Sequence, residues 1–123
     1  FRPARYEADA GQSEEWNRGR YIVMGPAHCA ACHSPRNLLG AIEAGKELSG
    51  NPGGGVGGRA PSLLTADLEA EGYDVDSLAQ TLLDGFTPGF DSLGGAMGEV
   101  ISEGSSQWTE ADRRAVATYL MNR

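Results

Sequence analysis

Two cysteines and a histidine stand within five positions of one another, in the run Cys29-Ala30-Ala31-Cys32-His33. On one helical turn, cysteines at this spacing point to the same side, so each thiol can add across one of the two vinyl groups of a haem. His33 then lies under the iron as an axial ligand. The run therefore predicts one covalently attached haem c, linked through Cys29 and Cys32 and ligated by His33.

Three other kinds of site use similar residues. A thioredoxin-like redox pair follows a strand and opens a helix, but no strand-like alternation precedes Cys29. A structural zinc ion needs four ligands, usually with a second pair far along the chain, and the only other histidine here is His28. A disulfide between Cys29 and Cys32 closes too short a loop to add much stability. Covalent haem is the favoured interpretation.

The composition indicates one small domain whose core a large apolar cofactor would complete. The chain has 123 residues, 18 of them glycine, and only 7% are aromatic, which is thin material for a self-sufficient core. Its formal net charge of −7 argues against nucleic acid and anionic membrane surfaces as partners. No apolar run approaches the length of a membrane span. The first residue is not methionine, so we expect a processed product or a piece of a longer chain.

The hydrophobic pattern predicts an all-α domain over residues 13–123, preceded by an N-terminal arm or linker remnant at 1–12. The first helix begins after Ser13, places Trp16, Gly19 and Val23 on one face, pairs Glu14 with Arg18, and ends at Gly25-Pro26. Long glycine-rich loops are predicted between residues 34 and 64 and between residues 86 and 98. With the helices that follow, the expected fold has three to five helices wrapped around one haem.

Two later helices have clear start signals. Asp74 or Asp76 caps a helix that ends at Gly85 and carries an apolar stripe of Leu78, Ala79, Leu82 and Leu83. A short helix is expected to carry Val100 and Ile101. The last helix begins at the cap Thr109, with Asp112 completing a capping box, Glu110 pairing with Arg114, and an inward face of Val116, Tyr119 and Leu120.

The second axial position of a haem iron bound to His33 either has one of four candidate ligands, Met24, Met97, Met121 and His28, or stays open. Met24 and His28 lie so close before the pentad that their helix would have to fold over the ring. Met121 lies on the inward face of the last helix, where methionine is ordinary packing material. Met97 stands in a glycine-flanked segment that lets the backbone approach a porphyrin, so it is the favoured ligand.

Several runs along the chain carry a resemblance to a known family. They are Glu15-Trp16-Asn17-Arg18-Gly19, Gly25-Pro26-Ala27-His28 leading into the pentad, Ser34-Pro35-Arg36-Asn37, Ala60-Pro61-Ser62-Leu63, Gly95-Ala96-Met97-Gly98-Glu99-Val100 and Ala117-Thr118-Tyr119-Leu120. In order and spacing the chain resembles class I c-type cytochromes. It is especially similar to the cytochrome c domains of the multi-haem electron-transfer subunits of membrane-bound bacterial alcohol, aldehyde and gluconate dehydrogenases.

The resemblance implies a role for each matching position. Cys29 and Cys32 would form the thioether links, with His33 and Met97 as the axial ligands. The carbonyl oxygen of Pro61 would accept a hydrogen bond from the other ring nitrogen of His33, which strengthens the imidazole as a donor.

Two further features follow from the same resemblance. Gly19 and Tyr21 would cross Val116 and Tyr119 where the terminal helices meet. Arg36 and Arg59 would either pair with the haem propionates or be solvated surface arginines. Gly57-Gly58-Arg59 replaces the bulky aromatic residue that many relatives have before the Ala-Pro pair.

The sequence thus predicts an electron carrier with no bond-making chemistry of its own. The expected partners are a dehydrogenase and a terminal acceptor, and the expected location is the bacterial periplasm, with or without a tether to the membrane through a larger subunit. Two alternatives remain, a five-coordinate haem enzyme or gas sensor and an accessory haem domain of a larger redox enzyme.

Overall fold

Five α-helices account for most of the residues that the computed structural model describes. Those residues are 8–27, 29, 33–34, 48–50, 62–89 and 95–123, with 95 and 96 described by their backbone only. The helices are α1 (Glu14–Met24), α2 (Thr65–Ala70), α3 (Val75–Asp84), α4 (Gly95–Glu103) and α5 (Glu110–Met121), with a 3₁₀ turn at Ser105–Gln107. Within these ranges there is no strand, and the all-α prediction is confirmed.

Helices α1 and α5 cross at Gly19, where their backbones almost touch. A Cβ atom at residue 19 would lie 1.9 Å from the carbonyl oxygen of Ala115 and 2.9 Å from Cβ of Tyr119. The Trp16 ring packs edge-on against Tyr119, with centroids 5.0 Å apart, and its indole N–H donates to the Asn122 carbonyl oxygen over 3.1 Å. The predicted crossing at Gly19 is therefore present.

Tyr21 does not take part in the crossing that the resemblance implied. Its side chain is 41% exposed and lies beside the Arg18 guanidinium, 5.6 Å from the ring centroid. A position two residues after Gly19 is turned about 200° around the helix, away from α5. Trp16, three residues before Gly19, takes the place against Tyr119.

Helix α3 begins and ends where its sequence signals predicted. The Asp74 carboxylate accepts from Ser77 N–H over 2.7 Å and the Ser77 hydroxyl accepts from Asp74 N–H over 2.9 Å, which makes a capping box. Gly85 closes the helix in the left-handed conformation at a φ of 79°. The prediction was wrong for one member of the apolar stripe. Leu83 is 40% exposed, whereas Leu78, Ala79 and Leu82 are buried.

The charged residues of α1 and α5 pair between elements. Thr109 caps α5 by accepting from Asp112 N–H over 3.1 Å, as predicted. The Asp112 carboxylate, however, accepts from Arg18 Nε over 3.1 Å, and Arg114 donates to Asp76 over 2.7 Å. These contacts join neighbouring elements and differ from the pairs expected within each helix, Glu14 with Arg18 and Glu110 with Arg114.

Two elements depart from the sequence prediction. Helix α2 was not predicted; it buries Leu68 and is joined to α5 by the Thr65 hydroxyl, which donates to the Leu120 carbonyl oxygen over 2.7 Å. Helix α4 begins at Gly95, so Met97 lies in its first turn and not in the glycine-rich loop expected there. Ile101 of α4 is buried, and this packing outweighs the weak helix propensity of glycine.

The core combines buried residues of α1, α2, α3 and α5 with Leu48, which lies outside these helices. Its buried members include Val23 of α1, Leu82 of α3, Val116 and Leu120 of α5, and Leu48. No helix among the described residues is long and apolar enough to cross a bilayer.

Candidate haem site

Three of the predicted site residues are described, and four are not. Cys29, His33 and Met97 belong to the described part of the chain. Cys32, Pro61, Arg36 and Arg59 lie outside it, and so does His28, one of the four candidates for the second axial position.

Cys29 follows shortly after the end of α1. Gly25 N–H donates to the Tyr21 carbonyl oxygen and Ala27 N–H to that of Ile22, each over 3.0 Å. These bonds turn the backbone back toward the core, where Ala27 and Cys29 are half-buried and pack against buried residues. The pentad therefore begins at the edge of the core, where a thiol can reach a large apolar ligand.

His33 is buried, with 8% of its surface exposed. Its carbonyl oxygen accepts from Gly50 N–H over 2.6 Å. The next residue, Ser34, is fully buried, and its hydroxyl oxygen accepts from Leu48 N–H over 2.7 Å. Burial removes the imidazole from water, which is unfavourable for a polar group unless another partner replaces the lost hydration. The position therefore suits a ligand to a buried group.

The three methionines have different surroundings. Met97 is half-buried at the start of α4. Met121 is buried in the core cluster on α5, and Met24 is 49% exposed on α1.

The donors present fit a haem. A buried imidazole and a methionine thioether are the axial ligands of many c-type haems, and a cysteine beside the imidazole supplies a covalent link. No group of three or more His, Cys, Asp or Glu side chains that could hold a metal ion occurs among the described residues.

Sequence reasoning missed the residues that hold the His33 backbone. Ser34, Leu48 and Gly50 were not singled out, although Ser34 belongs to the His-Ser-Pro-Arg-Asn run. The only local signal was a small hydroxyl residue directly after the histidine. Its partner, Leu48, is fourteen positions away, and no local pattern marks it.

Comparison with known proteins shows that the chain is similar to cytochromes. No protein-family model matches it. It is 42% identical over 93% of its length to "Diheme cytochrome c-type" of Cereibacter sphaeroides, and 36% identical over 94% to "Fructose dehydrogenase cytochrome subunit" of Gluconobacter japonicus. It is 31% identical over 96% to "Alcohol dehydrogenase (quinone), cytochrome c subunit" of Gluconacetobacter polyoxogenes.

These relatives are much longer proteins. The chain spans 36%, 23% and 26% of their respective lengths, so it corresponds to one segment of each. Nearly the whole chain takes part in every one of these matches, its fold is all-α, and it contains the attachment pentad. The homologues of this chain are therefore cytochromes c, and the resemblance to the cytochrome c domains of dehydrogenase subunits is confirmed.

Proposed function

We propose that this chain is a single-haem electron-transfer domain that passes one electron at a time between a dehydrogenase, or another haem, and a downstream acceptor. The observation that carries the proposal is the pentad in a chain that matches cytochromes over nearly its full length. The sequence holds two cysteines and one such pentad, which supports one haem in this segment. A haem c supplies reversible one-electron chemistry between ferric and ferrous iron.

Each site residue has a distinct role in this proposal. Cys29 and Cys32 form the thioether links, and His33 and Met97 are the axial ligands. The Pro61 carbonyl oxygen accepts from the second ring nitrogen of His33, which orients the imidazole and strengthens it as a donor. With both axial positions filled by side chains, no position remains for a substrate to bind, which favours a carrier over an enzyme.

Arg36 and Arg59 are proposed partners of the haem propionates. Guanidinium groups pair well with carboxylates, and this arrangement would offset the negative charge of the propionates. The methionine ligand raises the reduction potential relative to a second histidine, which favours acceptance of electrons from a dehydrogenase.

The partner and location are argued from the relatives. Several are named as cytochrome subunits of fructose, alcohol or gluconate dehydrogenases, so we propose a dehydrogenase as electron donor and the periplasm as the location. Because the chain spans about a third or less of these proteins, we propose that it works as one domain of a larger redox assembly. Residues 13–123 would form the cytochrome domain and residues 1–12 an arm or linker.

The haem claim is tested by intact mass and by acid-acetone extraction of the protein produced with a haem-attachment system. The mass should exceed that of the polypeptide by one haem, and the colour should stay on the protein. A Cys29→Ala variant should lose one of the two thioether links. A mass equal to the bare chain would refute covalent attachment, and a mass increased by two haems would refute the single-haem claim.

The axial ligand claim is tested by Met97→Ala. The sulfur-to-iron charge-transfer band should disappear and the reduction potential should fall, because the thioether is lost. Met24→Ala is the matched control, since Met24 is exposed and its replacement should leave both unchanged. An unaltered spectrum in the Met97 variant would assign the ligand elsewhere. Rapid binding of carbon monoxide to the wild-type ferrous protein would favour the five-coordinate alternative.

A further inference from the structure

Hydrogen bonds made by residues 48–50 join this segment to His33 and Ser34 on one side and to Leu63 on the other. Gly50 N–H donates to the His33 carbonyl oxygen over 2.6 Å, and Leu48 N–H donates to the hydroxyl oxygen of Ser34 over 2.7 Å. The Leu48 carbonyl oxygen accepts from Leu63 N–H over 2.7 Å. The backbone around the proposed iron ligand is therefore linked to both of the other segments.

Leu48 has a backbone conformation that its side chain disfavours. Its φ is 68°, and among the described residues it is the only non-glycine residue with a positive φ. A Cβ atom crowds the neighbouring carbonyl in this left-handed region, so such a residue persists only where several contacts fix it. The Leu48 side chain is fully buried in the core, and the Ser34 hydroxyl binds its N–H. Together these two contacts fix the conformation.

Ser34 is well placed to act on the residue before it. Its own side chain is fully buried, and a buried hydroxyl or N–H without a partner is unfavourable. Its hydroxyl and the His33 carbonyl oxygen both bind the backbone of residues 48–50. The first bond engages the Ser34 side chain and the second engages the peptide oxygen between His33 and Ser34. Both residues are thus attached to the same short segment, which limits how the His33 backbone can rotate.

We propose that Ser34 is a positioning residue for the axial ligand. By holding Leu48 N–H, it fixes the direction in which the His33 imidazole leaves the backbone and thereby sets the strength of its bond to iron. The inference rests on the proposed haem ligation by His33. The inference extends to the second ring nitrogen of His33, whose proposed acceptor is the Pro61 carbonyl oxygen. Leu63, whose N–H binds the Leu48 carbonyl oxygen, stands two residues after Pro61. Loss of the Ser34 bond weakens that outer hydrogen bond, lowers the basicity of the imidazole and so favours ferrous iron.

The test is Ser34→Ala in the haem-loaded protein. The reduction potential should shift upward, and the pattern of haem-methyl shifts in the ferric nuclear magnetic resonance spectrum should change. The Leu48 amide proton should exchange roughly tenfold faster, because it loses a buried acceptor. Ser34→Thr keeps the hydroxyl and should restore all three properties.

Ser105→Ala is the matched control. Ser105 is also fully buried, with 1% of its surface exposed, and its hydroxyl donates to the Leu82 carbonyl oxygen over 2.6 Å, on α3 and not beside His33. This variant should lose stability while its potential and haem-methyl pattern stay as in the wild type. Equal shifts in both variants would reduce Ser34 to a general contribution to stability and overturn the proposal.

Two other outcomes are decisive. An unchanged or lowered potential in Ser34→Ala, with faster Leu48 exchange, would overturn the positioning role. If Ser34→Ala does not fold around haem, two other measurements decide. Fast exchange of the Leu48 and Gly50 amides in the wild type would overturn the proposal. Slow exchange of these amides, together with an unaltered potential in Ser34→Thr, would support it. A failure of haem ligation by His33 can be distinguished from a failure of the positioning role. A His33→Ala protein that kept its low-spin spectrum would refute ligation by His33 without changing the exchange result.

Discussion

Gly19 is the residue on which the crossing of α1 and α5 depends most directly. A Cβ atom there would lie 1.9 Å from the backbone oxygen and 2.5 Å from the carbonyl carbon of Ala115, and neither backbone can move alone. We expect Gly19→Ala to lower the free energy of unfolding by about 2 to 3 kcal/mol, measured by denaturant titration. Gly89→Ala is the control, because its nearest contact would be 3.9 Å away. Similar losses in both variants would contradict the close approach.

Residue by residue, the sequence was most informative where one chemistry allows few alternatives. The pentad could be interpreted alone, because haem attachment demands particular residue types at a fixed spacing, whereas the crossing at Gly19 was expected from the family resemblance. Tyr21 was misplaced, since its assignment came from a resemblance and not from the angle between positions on a helix. Ser34 and Leu48 were missed, because their contact depends on the fold between them.

Among the helices, the cap of α3 gives a pH-dependent prediction. Hydrogen bonds from the Ser77 backbone and side chain hold the pKa of Asp74 below its usual range. A lowered pKa stabilises the folded state above the unfolded pKa of about 4, and this stabilisation is lost as pH falls through the folded value. Asp74→Asn keeps the capping oxygen but removes the negative charge. The variant should therefore be less stable than wild type near neutral pH, and the difference should vanish in acid.

The comparison of unfolding curves between about pH 7 and pH 2 checks this prediction. Ser77→Ala is the companion variant. It removes one of the groups that lower the pKa of Asp74, so it should weaken the dependence on pH. A difference between wild type and Asp74→Asn that stays constant across the range would show that the charge contributes nothing.

A partly buried hydroxyl contributes to the contact between α2 and α5. Thr65 donates to the Leu120 carbonyl oxygen over 2.7 Å, and this carbonyl belongs to the last turn of α5, where no helical N–H follows. Thr65→Val keeps the shape and should lower the free energy of unfolding by about 1 kcal/mol. Thr118→Val is the control, because its bond to Glu15 is exposed. A larger loss in the control would contradict the assigned role.

Elements with strong local signals could be predicted, and elements held by tertiary contacts could not. Asp74, Gly85 and Thr109 mark helix ends through their own side chains or conformation, and α3 and α5 were predicted from them. Helix α2 has only six residues and no side-chain cap, so it depends on packing for its stability. The short helix carrying Val100 and Ile101 was predicted and is present as α4, but its first turn, Gly95-Ala96-Met97-Gly98, was expected to be a loop.

For the molecule as a whole, the negative charge should govern the rate of electron exchange. The formal net charge is −7, and the bound propionates would add to it. The oxidation rate with the anion ferricyanide should rise as ionic strength increases from about 10 to 200 mM, while the rate with a cationic cobalt complex should fall. Stopped-flow measurement with both reagents provides its own control. Rates that changed in the same direction would contradict electrostatic steering.

Removal of the haem should divide the molecule into a stable and an unstable part. The crossing of α1 and α5 depends on direct contacts among Gly19, Ala115 and Tyr119, which need no cofactor. The bonds around His33 join residues whose placement a bound haem would reinforce. In a Cys29→Ala, Cys32→Ala protein made without haem, we therefore expect Leu48 and Gly50 amides to exchange rapidly while α1 and α5 keep measurable protection. Hydrogen exchange followed residue by residue measures both regions at once, and uniform protection throughout would show that the haem is not needed to hold the backbone of its own ligand.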